Sequence, residues 1–202
     1  MIIGLTGPIA SGKGLASKAI RAQLGDEKIT TVLLSDYIRE VVRGEGKQLS
    51  RDTLREAGNA LRTENGPGAW VKRMFERLPQ GGEGVLLVDS IRNPGEIKEL
   101  RAAFQSRLFV LATDAPVEDR IKRVLKRARE DDSTDSAEVE RQMRIEMENN
   151  PETGFSIEGC RELADAVSLG KESKAERIDE VQNWVKEFSD RVSRESDTEL
   201  RQ

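Results

Sequence analysis

An apolar stretch, residues 2–6 (Ile-Ile-Gly-Leu-Thr), runs straight into Gly7-Pro8-Ile9-Ala10-Ser11-Gly12-Lys13 and then into a helix-forming segment at residues 13–24. No other feature constrains the fold as much. A buried strand that turns on glycines into a helix leaves successive backbone N–H groups, and the positive end of that helix, facing one anion-sized hollow. The spacing fits G-x-x-x-x-G-K, the core of a phosphate-binding loop (P-loop). On that reading Gly7, Pro8, Ile9, Ala10, Ser11, Gly12, Lys13, Gly14 and Leu15 wrap a phosphate chain, and Lys13 supplies a point charge to its outer phosphates. The alternative is an ordinary Gly-rich strand-to-helix turn. The full motif has Ser or Thr after the lysine as a magnesium ligand. Here Gly14 stands there, and Ser17 comes too late to replace it.

The rest of the chain alternates apolar runs with helical patterns. Strands are predicted at residues 30–34, 85–89, 107–113 and 166–169. Helices are predicted at 36–43, 50–64, 70–78, 94–104, 117–130, 137–149 and 178–188, and turns at 81–84 and 131–136. This order makes βαβ units and an α/β fold with a parallel sheet buried on both faces. A domain spans residues 1–188, with about 123–151 as a helical, mobile lid. The polar tail at 189–202 frays or extends the last helix.

Composition narrows the chemistry. The 202 residues carry 33 Lys+Arg, 37 Asp+Glu, no His and one Cys, a net charge of −4. Without His there is no Ser-His-Asp triad, no Cys-His pair and no His-ligated zinc. Cys160 alone excludes an intrachain disulfide, a Cys-x-x-Cys pair and a multi-Cys metal cluster. Net acidity argues against bulk nucleic-acid binding. No apolar run reaches the roughly 18–20 residues of a membrane span, and a cytoplasmic location is the default. What remains is chemistry by Lys, Arg, carboxylates and backbone amides, which suits anionic substrates.

Several residues fall where such a substrate would lie. Asp89 ends the apolar run Val85-Leu86-Leu87-Val88 and either orients magnesium or caps the next helix. Arg92 either holds an acceptor phosphate or pairs with Glu96. Past the second strand, Asp36 is a candidate base, and Arg39 a candidate bidentate phosphate clamp. Ser35 there reads alternatively as a helix cap. Asn59 is a candidate base or sugar reader and Arg62 a second clamp, with a solvated helix face as the alternative for each arginine. Arg120, Arg123 and Arg127 share one helix face. They either close over a triphosphate or pair with Glu118, Glu130, Asp131 and Asp132 at the surface. The apolar residues of 70–78 pack internally or against a second copy in a homodimer.

The segments GPIASGKG, LSDYIRE, AGNALRTENGPGAW, VLLVDSIRNPGEI, DAPVEDRIKRVLKRARE and CRELADAV occur in that order. Together they resemble the adenylate kinase/dephospho-coenzyme A kinase-like group of P-loop nucleotide kinases. Within it they look most like the subgroup that includes the N-terminal kinase-like region of some deoxycytidylate deaminases. The resemblance covers about residues 1–188. It implies a five-stranded parallel sheet in a three-layer α/β/α arrangement, with ATP and magnesium and phosphoryl transfer to a small acceptor. The subgroup commonly has Gly where Ser90 stands, and many relatives have Ser or Thr near Leu15. The deaminase zinc motif is absent.

The expected activity is transfer of the ATP γ-phosphoryl group to a (deoxy)nucleoside monophosphate or similar phosphate-bearing acceptor. Lys13, Asp36 and Arg127 are the candidate catalytic residues. Arg123 and Arg127 bind the donor, and Asp89 supports the metal. Asp36, Arg39, Asn59, Arg62 and Arg92 hold the acceptor. One rival is a hydroxyl acceptor of the dephospho-coenzyme A type, with Asp36 as base. Another is a nucleotide sensor without turnover, and an NTPase ranks third.

Overall fold

The computed structural model describes residues 1–78, 84–129, 132–170 and 173–199. Its strands are β1 (Ile2–Thr6), β2 (Ile29–Leu33), β3 (Val85–Ile91), β4 (Leu108–Asp114) and β5 (Ala166–Leu169). They form one five-stranded sheet in the order β2-β3-β1-β4-β5, and every pairing is parallel. Between them run α1 (Lys13–Leu24), α2 (Leu34–Gly44), α3 (Arg51–Asn65), α4 (Ala69–Phe75), α5 (Pro94–Phe104), α6 (Val117–Arg127), α7 (Ser136–Glu146), α8 (Ile157–Glu162) and α9 (Lys174–Glu199).

Side-chain alternation along the strands builds three layers. Ile3, Leu5, Val85, Leu87, Phe109 and Leu111 face one side, where Ala16, Ala19 and Ile20 of α1 and Val181, Val185 and Phe188 of α9 cover them. Ile2, Val88, Ile91, Leu108 and Val110 face the other, under Val71 and Met74 of α4 and Ile97 and Leu100 of α5. Burial of aliphatic area on both faces drives this arrangement, at about 25 cal/mol per Å². In β3 the parity breaks: Val88 and Ile91 share a face although three residues apart. The cause is a bulge at Asp89-Ser90, where the register with β1 slips between Gly4 and Thr6. Ser90 takes φ +71°, and its N–H donates to Asp89 Oδ1 at 2.6 Å. A residue in this left-handed region is strained unless it is glycine.

Several boundaries differ from the sequence expectation. Helix α2 starts two residues earlier than predicted, because the chain passes from β2 into helix without a loop. Its N-cap is Leu33, so Ser35 does not cap it; its hydroxyl instead accepts from Arg39 Nη1 at 2.9 Å. Helix α6 ends at Arg127 rather than 130, turned by Ala128 in the left-handed region. The predicted continuation through Glu130 and the acidic loop start at Asp131 lie outside the described residues, as do 81–83 of the predicted turn. Helix α9 begins at Lys174 and continues through most of the predicted tail; residues 200–202 lie outside the described ones. Helix α8 was not anticipated. Its Gly159 reads as a breaker, but a Cβ there would lie 2.7 Å from Pro94 Cγ, so glycine lets α8 pack closely on α5. Among the described residues no helix is long and apolar enough to cross a membrane.

Candidate functional site

A cavity of about 430 Å³ opens at the carboxyl ends of β1, β2 and β3. This is the usual ligand position in an open parallel sheet. One wall is the glycine turn between β1 and α1. Gly7 and Gly12 take φ +132° and +120°, and a Cβ on Gly7 would lie 2.2 Å from Thr113 O. Any side chain at Gly7 would therefore break both the turn and its seat on β4. Ser11, fully buried, exchanges a 2.7 Å hydrogen bond with the Thr113 hydroxyl. From behind, Arg177 of α9 donates to Ser11 O at 3.2 Å and covers Gly12, where an added Cβ would lie 2.4 Å from Arg177 Nη2.

Lys13 folds back onto its own loop, donating from Nζ to Gly7 O at 2.7 Å and Pro8 O at 2.8 Å. Gly7 and Pro8 thus serve the lysine through their carbonyls, while Ile9 through Leu15 line the cavity. Burial, reinforced by Arg92, lowers the Lys13 ammonium pKa to about 7, and Asp89 offsets only part of this. Asp89 lines the cavity at the bulge. A Cβ added at Gly14 would meet nothing within 4 Å, so a side chain there would not clash at its first carbon.

The opposite wall is built of arginines from three helices and the β3–α5 link. Arg39, Arg51, Arg62, Arg92, Arg123 and Arg127 all line the cavity. Arg62 and Arg92 are held differently from the alternatives considered for them, while Arg127 does take Asp132. Arg62 is 2% exposed and pairs with buried Glu96 at 2.7 Å, while its Nε and Nη1 have no hydrogen-bond partner. The Arg92 guanidinium passes over Glu96 and pairs with Glu146 of α7; only its backbone N–H reaches Glu96, at 2.8 Å. Both guanidiniums lie over the Phe155 ring, at 5.7 and 5.0 Å from its centroid. Burial, reinforced by Arg51 and Arg62, brings the Arg92 pKa down to about 10.

Arg127 pairs with Asp132, but inside the cavity wall: the carboxylate is 1% exposed and also takes Arg51 at 2.6 Å. Burial alone would raise the Asp132 pKa; the hydrogen bonds from Arg127 and Arg51 outweigh it and bring it to about 2. A second bridge from the predicted lid to α3 joins Arg141 to Asp52 at 2.7 Å. Arg123 donates to Ala10 O at 3.0 Å, so it touches the loop backbone. Arg120 turns away, donating to Ala115 O at 3.1 Å.

Two expected acceptor residues fall outside the cavity. The Asp36 side chain is 60% exposed and pairs with Arg39 at 3.0 Å. The early start of α2 rotates it outward. Asn59, with its amide oriented to donate, reaches Thr153 O at 3.1 Å and Arg55 O at 3.2 Å, so it fastens the 149–156 segment to α3. Glu146 and Asp132 were missed as site residues. Asp132 was visible only as part of an acidic run, and Glu146 as one charge on a charged helix.

Residues 2–148 match a family model described as an AAA domain. A UPF0200 protein of Pyrococcus horikoshii is 31% identical over 178 residues, covering 84% of this chain and 87% of that protein. A UPF0200/UPF0201 protein of Archaeoglobus fulgidus is 25% identical over 98% of this chain, which spans 59% of that relative's length. Among solved structures, shikimate kinase from Acinetobacter baumannii superposes with TM-score 0.56 at 17% identity, over 94% of this chain and 93% of its own. A gluconokinase from Sinorhizobium meliloti gives 0.55 at 16%, over 96% of each chain. These likenesses show a P-loop kinase-like fold.

Proposed function

The chain belongs to the AAA domain family and to the UPF0200 proteins, and from that premise we propose that it transfers the γ-phosphoryl group of ATP to a small phosphate-bearing acceptor, foremost a (deoxy)nucleoside monophosphate. One observation carries the reading: a single cavity runs from the phosphate-loop amides to a wall of arginines on the far side. Phosphoryl transfer needs two anionic groups brought in line and their charge neutralised. A lone donor site would not need the second set of cations. The ordered sequence segments favour the nucleotide-kinase subgroup that includes the deaminase-linked kinase regions.

The roles follow from position. Loop amides and Lys13 take the donor phosphates, with Lys13 exchanging two backbone carbonyls for phosphate oxygens. Arg39, Arg62 and Arg92 face the acceptor phosphate. The unpartnered Nε and Nη1 of Arg62 are the donors with most to gain, since a buried unsatisfied donor costs about 1–3 kcal/mol. Arg123 and Arg127 belong to the donor side, where Arg127 offsets charge on the group in flight. Magnesium takes one or two carboxylates and completes its shell with phosphates and water, and Asp89, which lines the cavity, is the carboxylate so placed. When bound, the ion neutralises charge between donor phosphates.

A phosphate acceptor is already ionised near neutral pH and needs no base. The outward position of Asp36 favours it over a hydroxyl acceptor. The sensor reading keeps one point in its favour, the missing hydroxyl at Gly14. Incubation with ATP, magnesium and a panel of nucleoside monophosphates separates the readings. ADP formed only with an acceptor supports the kinase. ADP without one indicates an NTPase, and tight binding without ADP a sensor.

A further inference from the structure

Glu146 is the last residue of α7, yet it is 1% exposed, and its two oxygens serve two different parts of the site. Oε2 accepts the Ile9 amide N–H of the phosphate loop at 2.7 Å. Oε1 pairs with Arg92 Nη1. A buried carboxylate is strongly disfavoured unless both oxygens are satisfied, so this geometry is a specific one.

The peptide between Pro8 and Ile9 is therefore held at both ends. Lys13 Nζ donates to its carbonyl and Glu146 accepts from its amide. When Lys13 leaves that carbonyl for a phosphate, the amide end stays fastened by a charge-assisted bond. The same face of α7 grips the Ile9 side chain. Val139 and Met143 share a face with Glu146 at i, i+4, i+7 spacing and form a buried cluster with Ile9 and Val124. Helix α7 thus holds both the backbone and the side chain of one loop residue.

The second oxygen acts on the acceptor wall. Arg92 sits among Arg51 and Arg62, whose charges repel it. A flexible guanidinium in that field needs a fixed counter-charge to keep one direction, and Glu146 supplies it.

We propose that Glu146 is a positioning residue, which through one carboxylate sets the Pro8–Ile9 peptide of the donor loop and aims Arg92 at the junction between donor and acceptor phosphates. The kinase half of this statement rests on the function proposed above; the loop half needs only nucleotide binding.

The test uses Glu146→Gln, which keeps an oxygen for the Ile9 N–H but loses the charge pair, beside Glu146→Ala, Arg92→Ala and the double variant E146Q/R92A. MgADP binding is measured by calorimetry, and acceptor-dependent ADP formation by a coupled assay. Glu146→Gln should bind MgADP within about twofold of wild type, while Glu146→Ala binds about tenfold more weakly, as expected for one lost charge-assisted bond. Turnover of Glu146→Gln should fall about 10–100-fold through misplacement of Arg92, with the double variant no slower than Arg92→Ala. Unchanged turnover with only a lower melting temperature would overturn the aiming role, as would losses that multiply in the double variant. Equal MgADP binding by Gln, Ala and wild type would overturn the loop role. If wild type binds MgADP but turns over no acceptor, the kinase reading fails, while the Gln-against-Ala comparison still decides the loop role.

Discussion

Under the proposed function, the two walls of the cavity hold anions by opposite means. The donor wall is one unbroken run, Ile9 to Leu15, at the head of a helix. Its single lysine is parked on carbonyls of its own loop. The opposite wall, the acceptor wall if Arg39, Arg62 and Arg92 act as proposed, draws arginines from three helices and a link, and four of them are matched by carboxylates from other segments: Arg62 with Glu96, Arg92 with Glu146, Arg51 and Arg127 with Asp132. Backbone amides carry no net charge, so gathering them at one turn costs far less than gathering full cations. Guanidiniums cannot be buried together without compensation, so the acceptor wall needed long-range partners.

The contrast can be tested at its extremes. Lys13→Ala should reduce phosphoryl transfer by at least about 10²–10³-fold, since it removes the phosphate loop's own cation; turnover close to wild type in a steady-state assay would mean the loop works without it. Glu96→Ala should cost about 3–5 kcal/mol of stability in urea unfolding, because it strands a buried arginine and removes the acceptor of the Arg92 and Asn93 N–H groups. A loss under about 1 kcal/mol would show that the acceptor wall does not depend on counter-charges.

Acidity should act on the donor wall through Lys13. Its free-state pKa lies near 7, and a bound phosphate chain favours the charged form and raises that value. Binding above pH 7 therefore takes up a proton. Nucleotide affinity should be flat below pH 7 and weaken as pH rises beyond it, by up to about tenfold per unit. Calorimetry in buffers of different ionisation enthalpy reads the uptake directly. The smallest effect belongs to the bulge between the walls: Ser90→Gly should raise stability by about 1 kcal/mol by relieving its left-handed backbone, measured by the denaturation midpoint.

The same contrast explains what could be read in advance. The phosphate loop, its strand and its helix were legible because their signals are contiguous. The parallel sheet was legible from apolar runs such as Val85-Leu86-Leu87-Val88. Asp36 and Asn59 were misplaced because two residues of helix start, or one amide committed to Thr153 O, decide whether a side chain meets the cavity. Glu146 gave no local sign, since Arg92 lies 54 residues away; Asp132 could be read as a local partner of Arg127, but its second bond, to Arg51, spans 81 residues. Short range is what a single sequence encodes most openly; a counter-charge can come from anywhere the fold brings near.

Strand order has a consequence in time. The first strand made, β1, is the central one, and its neighbours are β3 and β4. During synthesis β1 waits for residues 85–91 before it has a strand to pair with, and for 108–114 before both its edges are covered. The turn after it waits longer, for Arg177 to reach the Ser11 carbonyl and for α9 to cover α1. Domains that close on such distant pairings fold late and slowly. Nucleotide binding by a nascent chain would thus report that synthesis has passed the start of α9.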